Sequence, residues 1–199
     1  MPSFESDTLE GLEERIRVLT GVKQPLYQDA LAGMAEKIIE MYQANIEKGR
    51  GNKLLIFGNG GSAEQTSHIA TELIVRYRGR RNRPSLPAIA LTDIGAITAA
   101  ANDFGYEKVF SRQIEGLVAA GDIALGISTS GRSPNVLEAL REAKKRGAVT
   151  MALTGEQGLS TAVDYSFEVP SEETAIVQEV HLYAIHWMCE RIDKFFEIK

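Results

Sequence analysis

The chain of 199 residues contains a single cysteine, Cys189. No internal disulfide can form, and a reducing, cytoplasmic setting is expected. Long hydrophobic runs are missing as well. No apolar stretch reaches the roughly 18 residues that a membrane-crossing helix needs. The opening segment from Met1 to Asp7 has neither a basic start nor an apolar core, so no secretory signal is expected there. Positive charge is scarce: Lys and Arg number 22 against 27 Asp and Glu, a net charge of −5. Such a chain lacks the overall field of a nucleic-acid binder, and neither nucleic acid nor a membrane is an expected partner. An anion would have to be held by a local device. The rest is ordinary for a folded protein, with 44% hydrophobic and 25% charged residues and no low-complexity segment or linker. The length suits one domain, and residues 1–199 read as one unit.

Hydrophobic periodicity divides the chain in two. The first fifty residues are helical in pattern. A short helix is expected near Leu9 to Leu19. A longer one follows over 25–48, with Leu26, Leu31, Met34, Ile38, Met41 and Tyr42 as its apolar stripe. Pro25 suits its first turn, and Gly49 and Gly51 suit its end. Short apolar runs then appear at 53–57, 87–91, 123–127 and 149–153, with a weaker one at 165–169. Helical stretches separate most of them: 63–76, 93–118 with a break near Asn102 to Gly105, and 134–146. A long amphipathic helix closes the chain over about 174–197. Apolar strands alternating with helices predict an α/β fold, a five-stranded, mostly parallel sheet with helices on both faces. Ligands of such sheets bind beyond the carboxyl ends of the strands.

Two of those ends have the same character. The first strand runs into Gly58-Asn59-Gly60-Gly61-Ser62 and a helix. The third runs into Ser128-Thr129-Ser130-Gly131-Arg132-Ser133 and a helix that opens at Pro134. Glycines allow a close backbone approach, and helix N-termini offer free N–H groups and positive charge. The hydroxyls of the second loop suit a phosphate monoester. Either loop alone also fits ordinary turn and capping chemistry. Neither matches a dinucleotide or nucleoside-triphosphate fingerprint.

The histidines are His68, His181 and His186. His68 lies four residues before Glu72 and four after Glu64, so all share a helix face. His181 and His186 differ by about 140° around the last helix, and so point different ways. Gln178 and His186 differ by about 80° and ~12 Å along the axis. Two imidazoles, a carboxylate and an amide suit zinc or a similar ion, though the spacing lacks the specificity of a metal motif and, taken alone, favours a surface His–Glu pair. Arg76, Arg78, Arg80, Arg81 and Arg83 form the one basic run. It reads as a solvated loop, or as a place where one or two arginines hold an anionic ligand.

Taken together, these residues resemble a known family. Gly58-Asn59-Gly60-Gly61-Ser62, His68-Ile69-Ala70-Thr71-Glu72, Arg76-Tyr77, Asn102-Asp103-Phe104-Gly105, the 128–133 loop, and Gln178-Glu179-Val180-His181 with His186 are similar to the phosphoheptose isomerases of the sugar isomerase (SIS) family. The resemblance spans about residues 25 to 197. It implies an aldose–ketose isomerase converting sedoheptulose 7-phosphate to D-glycero-D-manno-heptose 7-phosphate, an early step towards the heptoses of lipopolysaccharide. It implies one zinc ion per subunit held by His68, Glu72, Gln178 and His186, with acid–base chemistry at Glu72 and His186. It places Ser128, Thr129, Ser130 and Ser133 on the phosphate. It puts Asn59, Gly60, Ser62, Glu72, Arg76, Asp103 and Gln178 around the substrate, and it implies a homotetramer with active sites at subunit interfaces. One position departs from the pattern: Ile176 stands where the family often carries Arg, two residues before the Gln. The alternatives are a non-catalytic relative that binds a sugar phosphate or a replication-initiator protein, and an isomerase of a different ketose phosphate. The apolar faces of the 25–48 and final helices, including Tyr183, Trp187 and Met188, exceed what one sheet obviously needs. Subunit packing or the core itself could use them.

Overall fold

A computed structural model describes the backbone of residues 4–198, with side chains from residue 10 onward. Residues 1–3 of the opening segment, and residue 199, lie outside it. The chain runs α1 (Phe4–Gly21), α2 (Pro25–Lys48), β1 (Leu54–Gly58), α3 (Gly61–Ile74), β2 (Ala88–Ala90), α4 (Ile94–Phe104), a 3-10 turn (Tyr106–Lys108), α5 (Ser111–Leu117), β3 (Ile123–Ser128), α6 (Pro134–Lys145), β4 (Val149–Thr154), β5 (Tyr165–Glu168) and α7 (Thr174–Phe196). The strands form one sheet in the order β2-β1-β3-β4-β5, and every pairing is parallel.

Alternation along the strands builds two cores. Leu54, Ile56, Ile123, Leu125, Ile127, Met151, Leu153 and Phe167 face α2, α3 and α7. Leu55, Phe57 and Ala124 face α4, α5 and α6. The pairing of Leu54 with Ile123 and of Ile123 with Val149 keeps these rows in register. With both faces covered, β1 and β3 are buried throughout and almost wholly apolar, which is why they read as continuous runs, while the edge strand β5 with its exposed Glu168 reads more weakly.

Local chemistry sets the helix ends. Pro25 and Pro134 begin α2 and α6. Gly49 closes α2 in the left-handed region, at φ 63°. The expected break in 93–118 is real: Gly105, at φ 89°, ends α4 and the chain turns through the 3-10 segment into α5. Two expectations about apolar faces change. Leu26, first of the predicted stripe, is exposed at the open end of α2. Met188 lies fully in the core and Trp187 packs against it, so α7 spends most of its apolar face on α2 and the sheet. Among the described residues, exposed apolar side chains remain on α1 (Leu12, Ile16, Leu19), on α2 (Leu26, Ile46) and on α7 (Tyr183, Phe195). No helix among the described residues is long and apolar enough to cross a membrane.

Candidate active site

The carboxyl ends of β1 and β3 are adjacent, because β1 and β3 pair directly. Their two loops therefore lie side by side. Gly58 is packed so closely that a Cβ would fall 2.8 Å from the Ile127 carbonyl oxygen. Gly131, at φ 64°, has no room at all: a Cβ would come within 1.7 Å of the Gly158 oxygen. Only glycine fits either turn.

The loops are also tied to each other. Asn59 and Asn135 exchange amide hydrogen bonds, with Asn59 Nδ2 donating to Asn135 Oδ1 at 2.9 Å and Asn135 Nδ2 donating to Asn59 Oδ1 at 2.8 Å. The Tyr106 hydroxyl donates to the same Asn59 oxygen at 3.0 Å. Asn59, expected near a sugar, is thus engaged in fastening the first loop to the start of α6 and to the segment after α4. Asn135 and Tyr106 were not singled out in the sequence. The signal for them was weak: an Asn beside the Pro134 helix start, and a Tyr after the Asn102–Gly105 break.

In the second loop, Ser128 Oγ donates to Ser133 Oγ at 3.0 Å, and the Arg132 N–H donates to Ser130 Oγ. Ser128 is buried, Thr129 and Ser133 are half-buried, and Ser130 is exposed. Ser133 precedes α6 without a side-chain capping bond, so its hydroxyl is not spent on its own helix. Ser62 is buried in the first turn of α3, and Gly60 is its exposed N-cap. Asp103 is exposed near the end of α4, where it accepts from Asn102 Nδ2. Arg76 is exposed past the end of α3. Among the described residues, no hydrogen bond joins Asp103 or Arg76 to the other predicted site residues.

The histidine and carboxylate groups meet between α3 and α7, which pack on one another. His68 Nε2 lies 2.9 Å from His186 Nε2 and 3.4 Å from Glu72 Oε1. The Tyr77 ring also packs against His186, with centroids 5.2 Å apart and the planes tilted by 33°. Burial holds the His186 pKa below the usual imidazole value, and the neighbouring His68 adds to this, while Glu72 opposes it. Gln178 lies elsewhere on the same seam. Its amide packs on Gly61, where a Cβ would fall 2.8 Å from Nε2, and its backbone carbonyl accepts from Gln65 Nε2 at 2.7 Å. No hydrogen bond joins this amide to the histidines among the described residues.

His181 takes no part in the pair. It is fully buried, its Nε2 donates to the Thr154 carbonyl at 3.1 Å, and burial pushes its pKa down to about 4. The different faces expected for His181 and His186 are observed. Ile176, the departure from the family pattern, is a core residue. The arginine run divides. Arg78 and Arg81 pair with Glu190, whose carboxyl they pull down to about 2. Arg83 is buried against Asp193, which corrects the reading of the whole run as a solvated loop.

A zinc-type ion bound tetrahedrally at about 2.1 Å places adjacent ligands about 3.4 Å apart. His68 Nε2 and Glu72 Oε1 are at that separation, His68 Nε2 and His186 Nε2 are closer, at hydrogen-bond distance, and two imidazoles with a carboxylate have the right donor chemistry. The set is partial: among the described residues, no three His, Cys, Asp or Glu side chains adopt the joint geometry of a complete metal centre. The residues fit such an ion by donor chemistry and by the His68–Glu72 spacing.

Comparison with known proteins decides the family. The SIS domain model matches residues 23–155. The phosphoheptose isomerase of Thermodesulfovibrio yellowstonii is 43% identical over 199 residues, covering 98% of this chain and 94% of that protein. The chain belongs to the phosphoheptose isomerase family. Solved members agree in shape. The phosphoheptose isomerase GmhA of Neisseria gonorrhoeae superposes with a TM-score of 0.85 at 35% identity, covering 96% of this chain and all of that one. The enzyme from Francisella tularensis gives 0.87 at 32%, covering 97% of this chain and all of its own. As a phosphoheptose isomerase family member, the chain is an enzyme of the isomerase class. The family resemblance read from its motifs and the five-stranded α/β fold expected from them both hold.

Proposed function

We propose that this protein interconverts sedoheptulose 7-phosphate and D-glycero-D-manno-heptose 7-phosphate through an enediol. The observation that carries the reading is the meeting of Glu72, His68 and His186 on the α3–α7 seam. The Ser128–Ser133 loop and the α6 N-terminus hold the phosphate through hydroxyl and N–H donors. Glu72 removes the proton from C1 of the ketose and returns one to C2. His186, kept neutral by burial, carries the matching proton between O1 and O2. Asn59, Gly60, Ser62, Arg76, Asp103 and Gln178 are the proposed surroundings of the sugar chain. Zinc, one ion per subunit, is the proposed cofactor, with His68, Glu72, Gln178 and His186 as its ligands. When bound, it supplies Lewis-acid polarisation of the carbonyl and charge stabilisation of the enediolate. In a single chain the His68 side chain is 41% exposed, which supports completion of the site by a neighbouring subunit in the proposed homotetramer.

A second reading rests on Ile176. With an apolar core residue where the family often has Arg, the substrate could be another ketose phosphate. A panel of ketose phosphates tests both readings. Highest kcat/KM on the seven-carbon substrate supports the first, and a preference for a shorter sugar replaces it with the second. A folded protein that binds but never turns over any of them would favour the non-catalytic sugar-phosphate or initiator-binding alternative.

A further inference from the structure

We propose that the buried Arg83–Asp193 pair is the positioning device that sets Glu72 and Tyr77 against His186, an inference that rests on the isomerase reading above. Both side chains are wholly buried, and Arg83 Nε donates to Asp193 Oδ1 at 2.5 Å. The Nη donors of the guanidinium reach the end of α3, and Nη1 also donates to the Pro84 carbonyl at 2.9 Å. Nη2 donates to the Glu72 carbonyl at 2.6 Å, and Nη1 donates to the Leu73 carbonyl at 2.8 Å. These are last-turn carbonyls with no partner further along the helix. Arg83 therefore caps α3 at the residue that carries the proposed base.

The other carboxylate oxygen works on the opposite flank. Asp193 Oδ2 accepts the Tyr77 N–H at 3.1 Å and the Arg78 N–H at 2.9 Å. That fixes the segment whose Tyr77 ring packs against His186. Asp193 stands seven residues beyond His186 on α7, about 20° from it around the helix, so the two share a face. One ion pair thus ties together the base on α3, the Tyr77 ring on the loop and the imidazole on α7. The phosphate loop is built on β3 and α6, and none of these bonds reaches it. The pair should therefore govern kcat and leave phosphate binding alone.

Removing one partner would strand a buried charge, whereas replacing both by apolar residues of similar size is often tolerated. The test is therefore the double variant Arg83→Met with Asp193→Leu, with Arg83→Lys beside it. Lys keeps the charge and loses the fork. For folded variants we expect kcat on sedoheptulose 7-phosphate to fall about tenfold to a hundredfold, while KM and the inhibition constant of inorganic phosphate stay within about twofold. Imidazole NMR signals of His68 and His186 should shift in the metal-free double variant, a readout that needs no turnover. Unchanged kcat and unmoved imidazole signals overturn the proposal. So does a parallel loss of kcat, phosphate affinity and thermal stability, or the absence of folded protein from both variants. Either result would make the pair a general element of stability. A wild-type protein without turnover would sink the isomerase reading, and the NMR comparison would still decide the positioning role.

Discussion

A base that takes a proton from carbon must lie within hydrogen-bond reach and be ionised when it acts. Glu72 is half-buried on α3, 3.4 Å from His68. Glu72→Gln keeps the shape and removes the base. Its kcat should drop about 10²- to 10⁴-fold, with substrate KM little changed in steady-state kinetics; normal turnover would remove Glu72 from the role. Gly131→Ala tests the phosphate loop. The new Cβ would meet the Gly158 oxygen at 1.7 Å, so the loop must open, and KM for the sugar phosphate should rise at least about tenfold by the same assay. At this scale the sequence was informative where chemistry sits at helical spacing. His68 and Glu72 are four apart on one face, and the different faces of His181 and His186 follow from helix geometry, whereas the meeting of His68 with His186 depends on the packing of α3 on α7 and was implied only by the family resemblance. It was blind to Arg83. Five arginines within eight positions look alike until the fold buries one of them against an Asp 110 residues away.

The elements make their own predictions. α3 and α7 touch where Gln178 packs on Gly61. Gly61→Ala should push the flexible amide aside, lowering zinc affinity measured by titration, with little change in thermal stability. α7 and β4 are joined by His181 and the Thr154 carbonyl. The folded pKa of His181, about 4, lies below the ordinary 6.5. Between those values the unfolded chain binds a proton that the native state refuses. Stability is therefore full above pH 6.5 and falls as pH drops towards 4, by up to roughly 3 kcal/mol from this residue. Urea unfolding of wild type and His181→Gln at pH 7 and pH 5 checks this: the variant should lose less stability on acidification, and an equal loss would contradict it. Element types were legible because buried parallel strands are short and uniformly apolar while the helices are amphipathic. Strand lengths were not. The run at 87–91 yields only Ala88–Ala90 as strand, since β2 is an edge paired on one side by β1 alone.

In the whole molecule, the sheet order places β1 beside β3 and so makes one site of two loops that are some seventy residues apart in the chain. Sequence could show that both loops suit an oxyanion, but not that Asn59 and Asn135 clasp each other, because that contact exists only once the strands are ordered. The exposed α1 stripe of Leu12, Ile16 and Leu19 supports the proposed tetramer. Light scattering should show four copies for the wild type, and Ile16→Lys should shift it towards smaller species; a wild-type monomer would refute the assembly. The central claim is that the α3–α7 seam is a metal-assisted isomerase site. Turnover of sedoheptulose 7-phosphate by the purified protein, before chelation, after chelation and after zinc is returned, tests it most directly. The account predicts activity that chelation abolishes and zinc restores, whereas undiminished turnover in the chelated protein would contradict it.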